Sequence, residues 1–168
     1  MTIAPNSEPT AETTRLVTEG DTRIVITRRF AAAPAHLFRA HTQPDLIRRW
    51  MVGPEGWTMP VCQSDSRPGG SFRFEWSDGK GAGFHATGEY LEVTPRRILH
   101  VERMFLPDPT PDNHVETRFD PLGSGTAMTV TMTLATAEAR AAILASGMTE
   151  GLEDSYFRLD QMFGADNG

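Results

Sequence analysis

The sequence predicts an α+β fold built on one antiparallel sheet. A single β-branched segment is followed by two short helical segments, and turn residues then recur about every ten to fifteen residues, which is typical of an antiparallel meander. A helical period follows the last turn. With 168 residues, of which 39% are hydrophobic and 23% charged, the chain is large enough to bury one core without disulfides.

Residues 1–20 differ in composition from the rest of the chain. They are rich in Thr, Glu, Pro, Ser and Ala and show no sustained period, so they cannot bury enough apolar surface to offset the entropy of ordering. We therefore predict a flexible N-terminal tail over residues 1–20, a single domain over residues 21–164 and a C-terminal tail over residues 165–168.

Regular structure is expected to begin with a strand from Arg23 to Phe30, because this segment is rich in β-branched residues. Pro34 and Pro44 each suit the first turn of a helix, since that position needs no amide hydrogen. Two short helices are therefore predicted, the first through Ala40 and the second from Asp45 to Trp50.

Turn motifs divide the middle of the chain into six strands. The turns combine Pro, Gly, Asp and Ser in pairings that favour tight reversals. The last strand alternates most strictly, with apolar residues at even positions and threonines at odd ones, which predicts one buried and one wettable face. The strand from Ile98 to Leu106 has apolar residues at both odd and even positions, so the sequence does not decide which of its faces is buried. The predicted strands run from Thr58 to Asp65, Ser71 to Trp76, Phe84 to Val93, Ile98 to Leu106, His114 to Phe119 and Ala127 to Leu134.

The C-terminal segment has the period of a helix. Thr136 is a suitable N-cap, with Glu138 in the first turn, and apolar residues then recur at intervals of mostly three or four until Phe163. No proline interrupts this segment. One long helix is predicted from Ala137 to Phe163, about 40 Å long at about 1.5 Å per residue, which is enough to cross a sheet.

Charge and cysteine content exclude several classes of partner. The 16 basic and 22 acidic residues give a net charge of −6, the wrong sign for neutralising phosphates, so no nucleic-acid partner is expected. No apolar run reaches the roughly 18 residues of a membrane span, and the first residues lack the pattern of a secretion signal, so no membrane partner is expected. Cys62 is the single cysteine, so no intrachain disulfide can form and a cytoplasmic location is expected.

Several motifs resemble one family, in order along the chain. LIRRW, from Leu46 to Trp50, is followed by GPEGWTMPV from Gly53 to Val61. Together with later blocks they resemble the bacterial homologues of the heat-shock-protein ATPase activator, within the START-like SRPBCC superfamily. The later blocks are RPGGSFRF from Arg67 to Phe74, GEYLEVTP from Gly88 to Pro95 and GMTEGL from Gly147 to Leu152.

The resemblance implies a helix-grip fold, in which a curved antiparallel sheet wraps around a long C-terminal helix and leaves a cavity between them. The family includes ligand binders, resistance proteins and a few enzymes. This chain departs from the family pattern where Met51 follows Trp50 in place of a second Trp, and where Leu152 stands in place of a Trp. Ligand preference therefore does not transfer from the family.

Aromatic and methionine side chains are the candidates for a ligand-binding wall. Phe72, Phe74 and Trp76 share one face of their strand by its period of two. Aromatic rings and flexible thioethers are common both in small-molecule sites and in cores, so cavity wall and core packing stay open as alternatives. The candidate ligand-binding residues are Trp50, Phe72, Phe74, Trp76, Met104, Met128, Met132, Met148, Leu152 and Tyr156.

Two His and Glu pairs are the candidates for acid–base catalysis. His100 and Glu102 share a face of one predicted strand, and His85 and Glu89 share a face of another. No third side chain at metal-site spacing accompanies either pair, so no metal is expected. No cofactor is expected either, since the glycine-rich segment around Lys80 lacks the ending of a phosphate-binding loop.

The leading interpretation is a binding module that holds a small hydrophobic or aromatic molecule between the sheet and the C-terminal helix. One alternative is an enzyme of cyclase, dehydratase or hydrolase type that uses the same cavity, and binding without catalysis is favoured over it. A second alternative is a protein-interaction or co-chaperone-like domain, which an exposed apolar patch would favour. The sequence leaves a homodimer open.

Overall fold

The computed structural model describes residues 14–105, 108–146 and 148–164, which form one eight-stranded antiparallel sheet and four helices. The strands are β1 (Arg15–Glu19), β2 (Arg23–Phe30), β3 (Thr58–Ser64), β4 (Ser71–Ser77), β5 (Gly83–Thr94), β6 (Arg97–Phe105), β7 (Asn113–Leu122) and β8 (Gly125–Thr133). Their order across the sheet is β1-β2-β8-β7-β6-β5-β4-β3. The sheet therefore brings β2 and β8 together from distant parts of the chain.

The helices are α1 (Pro34–Thr42), α2 (Pro44–Trp50), α3 (Ala137–Leu144) and α4 (Met148–Gly164). The first two each begin at a proline, as the sequence predicts. The third follows Thr136, whose side-chain oxygen accepts a hydrogen bond from the Ala139 amide at 3.0 Å. The predicted α+β class and helix-grip arrangement are confirmed. Within the described ranges, no helix is long and apolar enough to cross a membrane.

The core lies on the concave face of the sheet. Every second residue of β8 from Met128 to Met132 is buried, and Tyr156, Leu159 and Phe163 on α4 belong to the same cluster. The Tyr156 ring lies 5.7 Å from the ring of Phe30 on β2 and 6.1 Å from that of Trp50 on α2. The C-terminal helix is thus held between the sheet and the two short helices.

Two register shifts help to curve the sheet around this core. One lies in β3 between Thr58 and Val61, and the other in β5 between Tyr90 and Glu92. The extra residue in β5 is Leu91, whose side chain is exposed. Bulges of this kind bend a strand and increase its local twist.

The predicted tail boundary at residue 20 differs from the structure. Arg15–Glu19 forms the edge strand β1 and pairs antiparallel with β2, for example Val17 with Val25. Of its side chains only Leu16 packs against the core. Backbone hydrogen bonds hold β1 rather than apolar burial, and this is why composition did not indicate a strand. The rest of the predicted N-terminal tail, residues 1–13, and the predicted C-terminal tail lie outside the described residues.

The single long helix predicted from Ala137 to Phe163 is interrupted. Regular helix ends at Leu144, and both the amide and the hydroxyl of Ser146 donate to the Ile143 carbonyl, at 3.1 and 2.6 Å. A serine side chain that bonds locally competes with the helical backbone. The apolar period continues through this point, so periodicity alone predicted one helix where there are two.

Candidate functional site

A cavity of about 300 Å³ lies between the concave face of the sheet and the helices. We call it the inner cavity. Its walls come from β2, from β4 to β8, and from α1, α2 and α4, and the small apolar side chains among them include Ile26, Ala86 and Val130. Sites for small molecules have volumes of about 300 to 1,000 Å³, so the inner cavity is large enough for a compact ligand.

Eight of the ten candidate ligand-binding residues line the inner cavity. Met128 is placed elsewhere, which corrects that part of the prediction: it is buried in the core opposite Phe119 on β7. Strand alternation gives the face of a residue but not how far along the strand a cavity extends. The side chain of Met148 lies outside the described part of the structure. The eight that line the cavity are Trp50, Phe72, Phe74, Trp76, Met104, Met132, Leu152 and Tyr156.

The aromatic wall is held in place by hydrogen bonds and ring packing. Phe72 and Phe74 stack with ring centroids 5.0 Å apart, and Trp76 meets Phe74 edge to face at 6.1 Å. The Trp76 indole N–H donates to the Met51 carbonyl at 2.7 Å, and that of Trp50 donates to the Ala40 carbonyl at 2.9 Å. Both indole N–H groups are therefore satisfied by the protein, which leaves the rings as apolar surface.

Strand β6 turns one His and Glu pair into the inner cavity. Both His100 and Glu102 line it, together with Ile98 and Met104. The even-numbered residues of β6 therefore face the cavity, which the sequence had not decided. His100 Nε2 lies 3.0 Å from Glu102 Oε1. His100 Nδ1 is buried with no hydrogen-bond partner among the described residues. An acid–base pair therefore faces the space that a ligand would occupy.

The other predicted pair does not reach the inner cavity. His85 stacks on Phe105 with ring centroids 4.2 Å apart, and Glu89 pairs with Arg103 at 3.2 Å. Neither residue lines the inner cavity, because β5 turns these positions to the opposite face of the sheet from Ala86. This corrects their role as catalytic candidates at the cavity. In the part of the chain that the structure describes, no cluster of His, Cys, Asp and Glu is suited to hold a metal ion.

His41 lines the inner cavity and was missed by the sequence analysis. Its Nδ1 lies 2.7 Å from the Leu37 carbonyl one turn earlier in α1, and its ring packs against Trp50 and Phe119 at 4.8 and 5.1 Å. Burial lowers the pKa of His41 from 6.5 to about 4, against the opposing effect of the Leu37 hydrogen bond. His41 is therefore neutral at neutral pH. A lone histidine on a short helix has no spacing or motif in the sequence that indicates a place in a cavity wall.

Hydroxyl groups complete the polar part of the wall. Thr117, Ser155 and Tyr156 all line the inner cavity, as does Tyr90, whose hydroxyl is hydrogen-bonded to Ser64 Oγ at 2.6 Å. Burial raises the pKa of Tyr156 well above its ordinary value, so its phenol keeps its proton. These hydroxyls can donate or accept hydrogen bonds according to what they meet.

A second cavity, of about 460 Å³, adjoins the first. We call it the outer cavity. It shares several wall residues with the inner cavity, among them Trp76, Glu102 and Leu152, and it reaches the exposed residues Pro54 and Ser146 at the surface. The two spaces together provide a path from solvent between the α2–β3 connection and the helices α3 and α4.

The amino-acid sequence matches the model of a known family. The family model described as Activator of Hsp90 ATPase homolog 1-like protein matches residues 31–164. The chain belongs to this family. The resemblance drawn from the sequence motifs is therefore confirmed. Among curated proteins, none matches the chain.

Three solved structures of bacterial proteins are similar to most of this chain. A protein from Rhodobacter sphaeroides is 31% identical, with a TM-score of 0.84, over 90% of this chain and 99% of its own. A protein from Nitrosomonas europaea is 25% identical, with a TM-score of 0.76, over 89% of this chain and 98% of its own. An AHSA1-like protein from Aeromonas hydrophila is 22% identical, with a TM-score of 0.68, over 83% of this chain and 93% of its own, and it shares the fold.

Proposed function

We propose that this protein binds a small hydrophobic or aromatic molecule in the inner cavity. The observation that carries the proposal is the mainly apolar space between the sheet and α4, with Phe72, Phe74 and Trp76 on its wall. Protein interiors are packed with few voids larger than a water molecule, because each void forfeits contacts. A domain that needed only a stable core would gain by filling this space. Membership in the family supports a ligand-binding or co-chaperone-like role.

Native mass spectrometry of gently purified protein, compared with the denatured mass, tests this proposal. The cavity variant is Leu152→Trp, which adds bulk where the inner and outer cavities meet. Its matched control is Leu122→Trp, at an exposed position 45% accessible to solvent at the end of β7. Both variants add one tryptophan, so they differ in where the bulk lies.

We expect a stoichiometric small-molecule adduct on the wild type and on Leu122→Trp, and its loss from Leu152→Trp. Circular dichroism of both variants controls for folding. An adduct that survives equally in both variants would place the ligand outside the cavity. A wild type that carries no adduct, and takes up none from a panel of small aromatic compounds, would contradict the proposal.

Catalysis in the same cavity is a second candidate, favoured by the 3.0 Å contact between His100 Nε2 and Glu102 Oε1. A carboxylate that holds an imidazole in one tautomer is a common arrangement for proton transfer. The reaction class would be one in which a proton moves at an aromatic or carbonyl substrate, as in cyclases, dehydratases and hydrolases.

The catalytic candidate is tested by incubating the molecule recovered from the protein with fresh protein in deuterated water. Conversion, or deuterium incorporation at carbon, is expected for the wild type and for Glu89→Gln, whose carboxylate lies on the other face of the sheet, but not for Glu102→Gln. A molecule that returns chemically unchanged from the wild type would reject catalysis and leave binding intact.

The protein-interaction alternative stays a prediction, as do the cytoplasmic location and a homodimer. The exposed large apolar side chains of the described residues lie on four different elements and are Val17, Leu91, Leu122 and Phe157. Co-purification of a protein partner that is lost on Phe157→Ser, but kept in Leu152→Trp, would favour interaction over small-molecule binding.

A further inference from the structure

Some polar groups on the wall of the inner cavity can serve a ligand in one way only, and these groups are hydrogen-bond acceptors. His41 is the clearest case. Its Nδ1 proton is directed to the Leu37 carbonyl at 2.7 Å, so Nε2 is the ring nitrogen left for a molecule in the cavity. Because burial lowers the pKa of His41 to about 4, the ring is neutral at neutral pH and Nε2 carries a lone pair rather than a proton.

Glu102 is the second fixed acceptor. His100 Nε2 lies 3.0 Å from its Oε1, and an ionised carboxylate can accept further hydrogen bonds at both oxygens. The side chain of Glu102 is 22% exposed and belongs to the walls of both cavities. A ligand that passes from the outer to the inner cavity therefore meets this carboxylate on its way.

The two cavities have no lysine or arginine on their described walls. The buried guanidinium of Arg28 lies outside both walls, where it contacts Asp160 at 3.4 Å and the ring of Phe30 at 4.7 Å. An anion in the inner cavity would lose its water and face the Glu102 carboxylate with no lysine or arginine on the wall to pair with it, which is unfavourable in a weakly polar space.

We propose that the inner cavity selects aromatic molecules with an uncharged or positively charged hydrogen-bond donor, such as a phenol or an amine, and rejects carboxylates of the same shape. This inference rests on the proposed binding function and adds the chemical class of the ligand. The donor is received by His41 Nε2 or by the Glu102 carboxylate, while the adaptable hydroxyls of Thr117, Ser155 and Tyr156 accommodate its position. The ring lies on the aromatic wall.

Three probes with one ring system test this selectivity by isothermal titration calorimetry at neutral pH. 2-Naphthol offers a donor, 2-methoxynaphthalene replaces it by an acceptor, and 2-naphthoate carries an anion. We expect 2-naphthol to bind up to about tenfold more tightly than 2-methoxynaphthalene, the effect of one hydrogen bond, and 2-naphthoate to bind more weakly than either.

Two variants test which residues cause the selectivity. Each has a control variant on the face of β5 that points away from the inner cavity. His41→Phe keeps an aromatic ring and should abolish the preference for 2-naphthol over its methyl ether, whereas His85→Phe should keep it. Glu102→Gln removes the wall's carboxylate charge and should strengthen 2-naphthoate binding by about tenfold or more, whereas Glu89→Gln should leave it unchanged. The probe series on the wild type decides the proposal even if a variant does not fold.

The outcomes separate this inference from the proposed function on which it rests. Equal affinities of 2-naphthol and its methyl ether, or tightest binding of 2-naphthoate, would overturn the donor selectivity while leaving cavity binding in place, provided that Leu152→Trp blocks the binding. No binding of any probe to the wild type would overturn the donor selectivity, and together with the absence of an adduct on the wild type it would overturn the proposed function as well.

Discussion

Acidification should destabilise this protein through His41. The folded protein holds the ring neutral, since burial lowers its pKa from 6.5 to about 4. The unfolded chain exposes the same ring to water, where it takes up a proton near its ordinary pKa. Between these two values the unfolded state binds one more proton than the folded state, and the free energy of unfolding must therefore fall as the pH falls.

The size and sign of this effect follow from the two pKa values. Above 6.5 the ring is neutral in both states, so the contribution of His41 is fully present. It is lost progressively as the pH falls toward about 4. Each factor of ten in proton affinity is worth about 1.4 kcal/mol, so the loss across this range is about 3 kcal/mol, a large fraction of the stability of an ordinary domain.

Urea unfolding followed by tryptophan fluorescence, at a series of pH values from about 8 to about 4, measures the effect. His41→Phe is the reference, because it keeps a ring against Trp50 and Phe119 but cannot titrate. The wild type should lose about 3 kcal/mol more than this variant over the series. Curves that run parallel, within about 1 kcal/mol, would refute the assignment of a buried neutral ring to His41.

Three further predictions concern packing and reactivity. Trp50→Phe leaves the Ala40 carbonyl without its 2.9 Å partner and should lower the free energy of unfolding by roughly 1 to 3 kcal/mol, as measured by urea unfolding. No loss would mean that another donor replaces the indole. Gly88→Ala should lower the free energy of unfolding by about 2 kcal/mol or more, because a Cβ there would overlap a backbone carbonyl and an aromatic ring of the neighbouring strands. Gly151→Ala places its added atom where nothing lies within 4 Å, so it should stabilise α4 by up to about 1 kcal/mol. Thermal melts compare the two glycine variants, and equal changes in melting temperature would contradict the close packing around Gly88. Burial raises the pKa of the Cys62 thiol, so iodoacetamide should label it slowly in the folded protein and rapidly in urea, and rapid labelling of the folded protein would show the thiol to be accessible.

The elements that sequence reasoning predicted well are those with a local cause. Prolines at Pro34 and Pro44 start their helices, and the turn residues separate strands whose ends differ from the predicted ones by a few residues. The strict alternation of β8 identifies its buried face. Each of these features depends on residues close together in the chain, so a pattern of period two or of turn chemistry is sufficient to find it.

The features that were missed depend on the tertiary structure. β1 is held mainly by its pairing with β2. His41 acquires its role because α1 brings it to a cavity whose wall is formed mainly by strands far away in the sequence. Met128 shares the face of Met132 but lies beyond the end of the cavity. None of these outcomes can be read from neighbouring residues, since each depends on where two distant segments meet.

The orientation of the cavity wall depends in turn on one irregularity. On β5 Tyr90 faces the cavity and Val93 packs against the core, although residues three apart in a regular strand lie on opposite faces. The register shift at Leu91 reconciles them, and it pairs Tyr90 with His100 and Val93 with Ile98. Because side chains alternate along a strand, a one-residue slip of β6 would exchange His100 and Glu102 for their neighbours on the opposite face. The acceptor character of the cavity is thus a property of strand register as much as of residue identity.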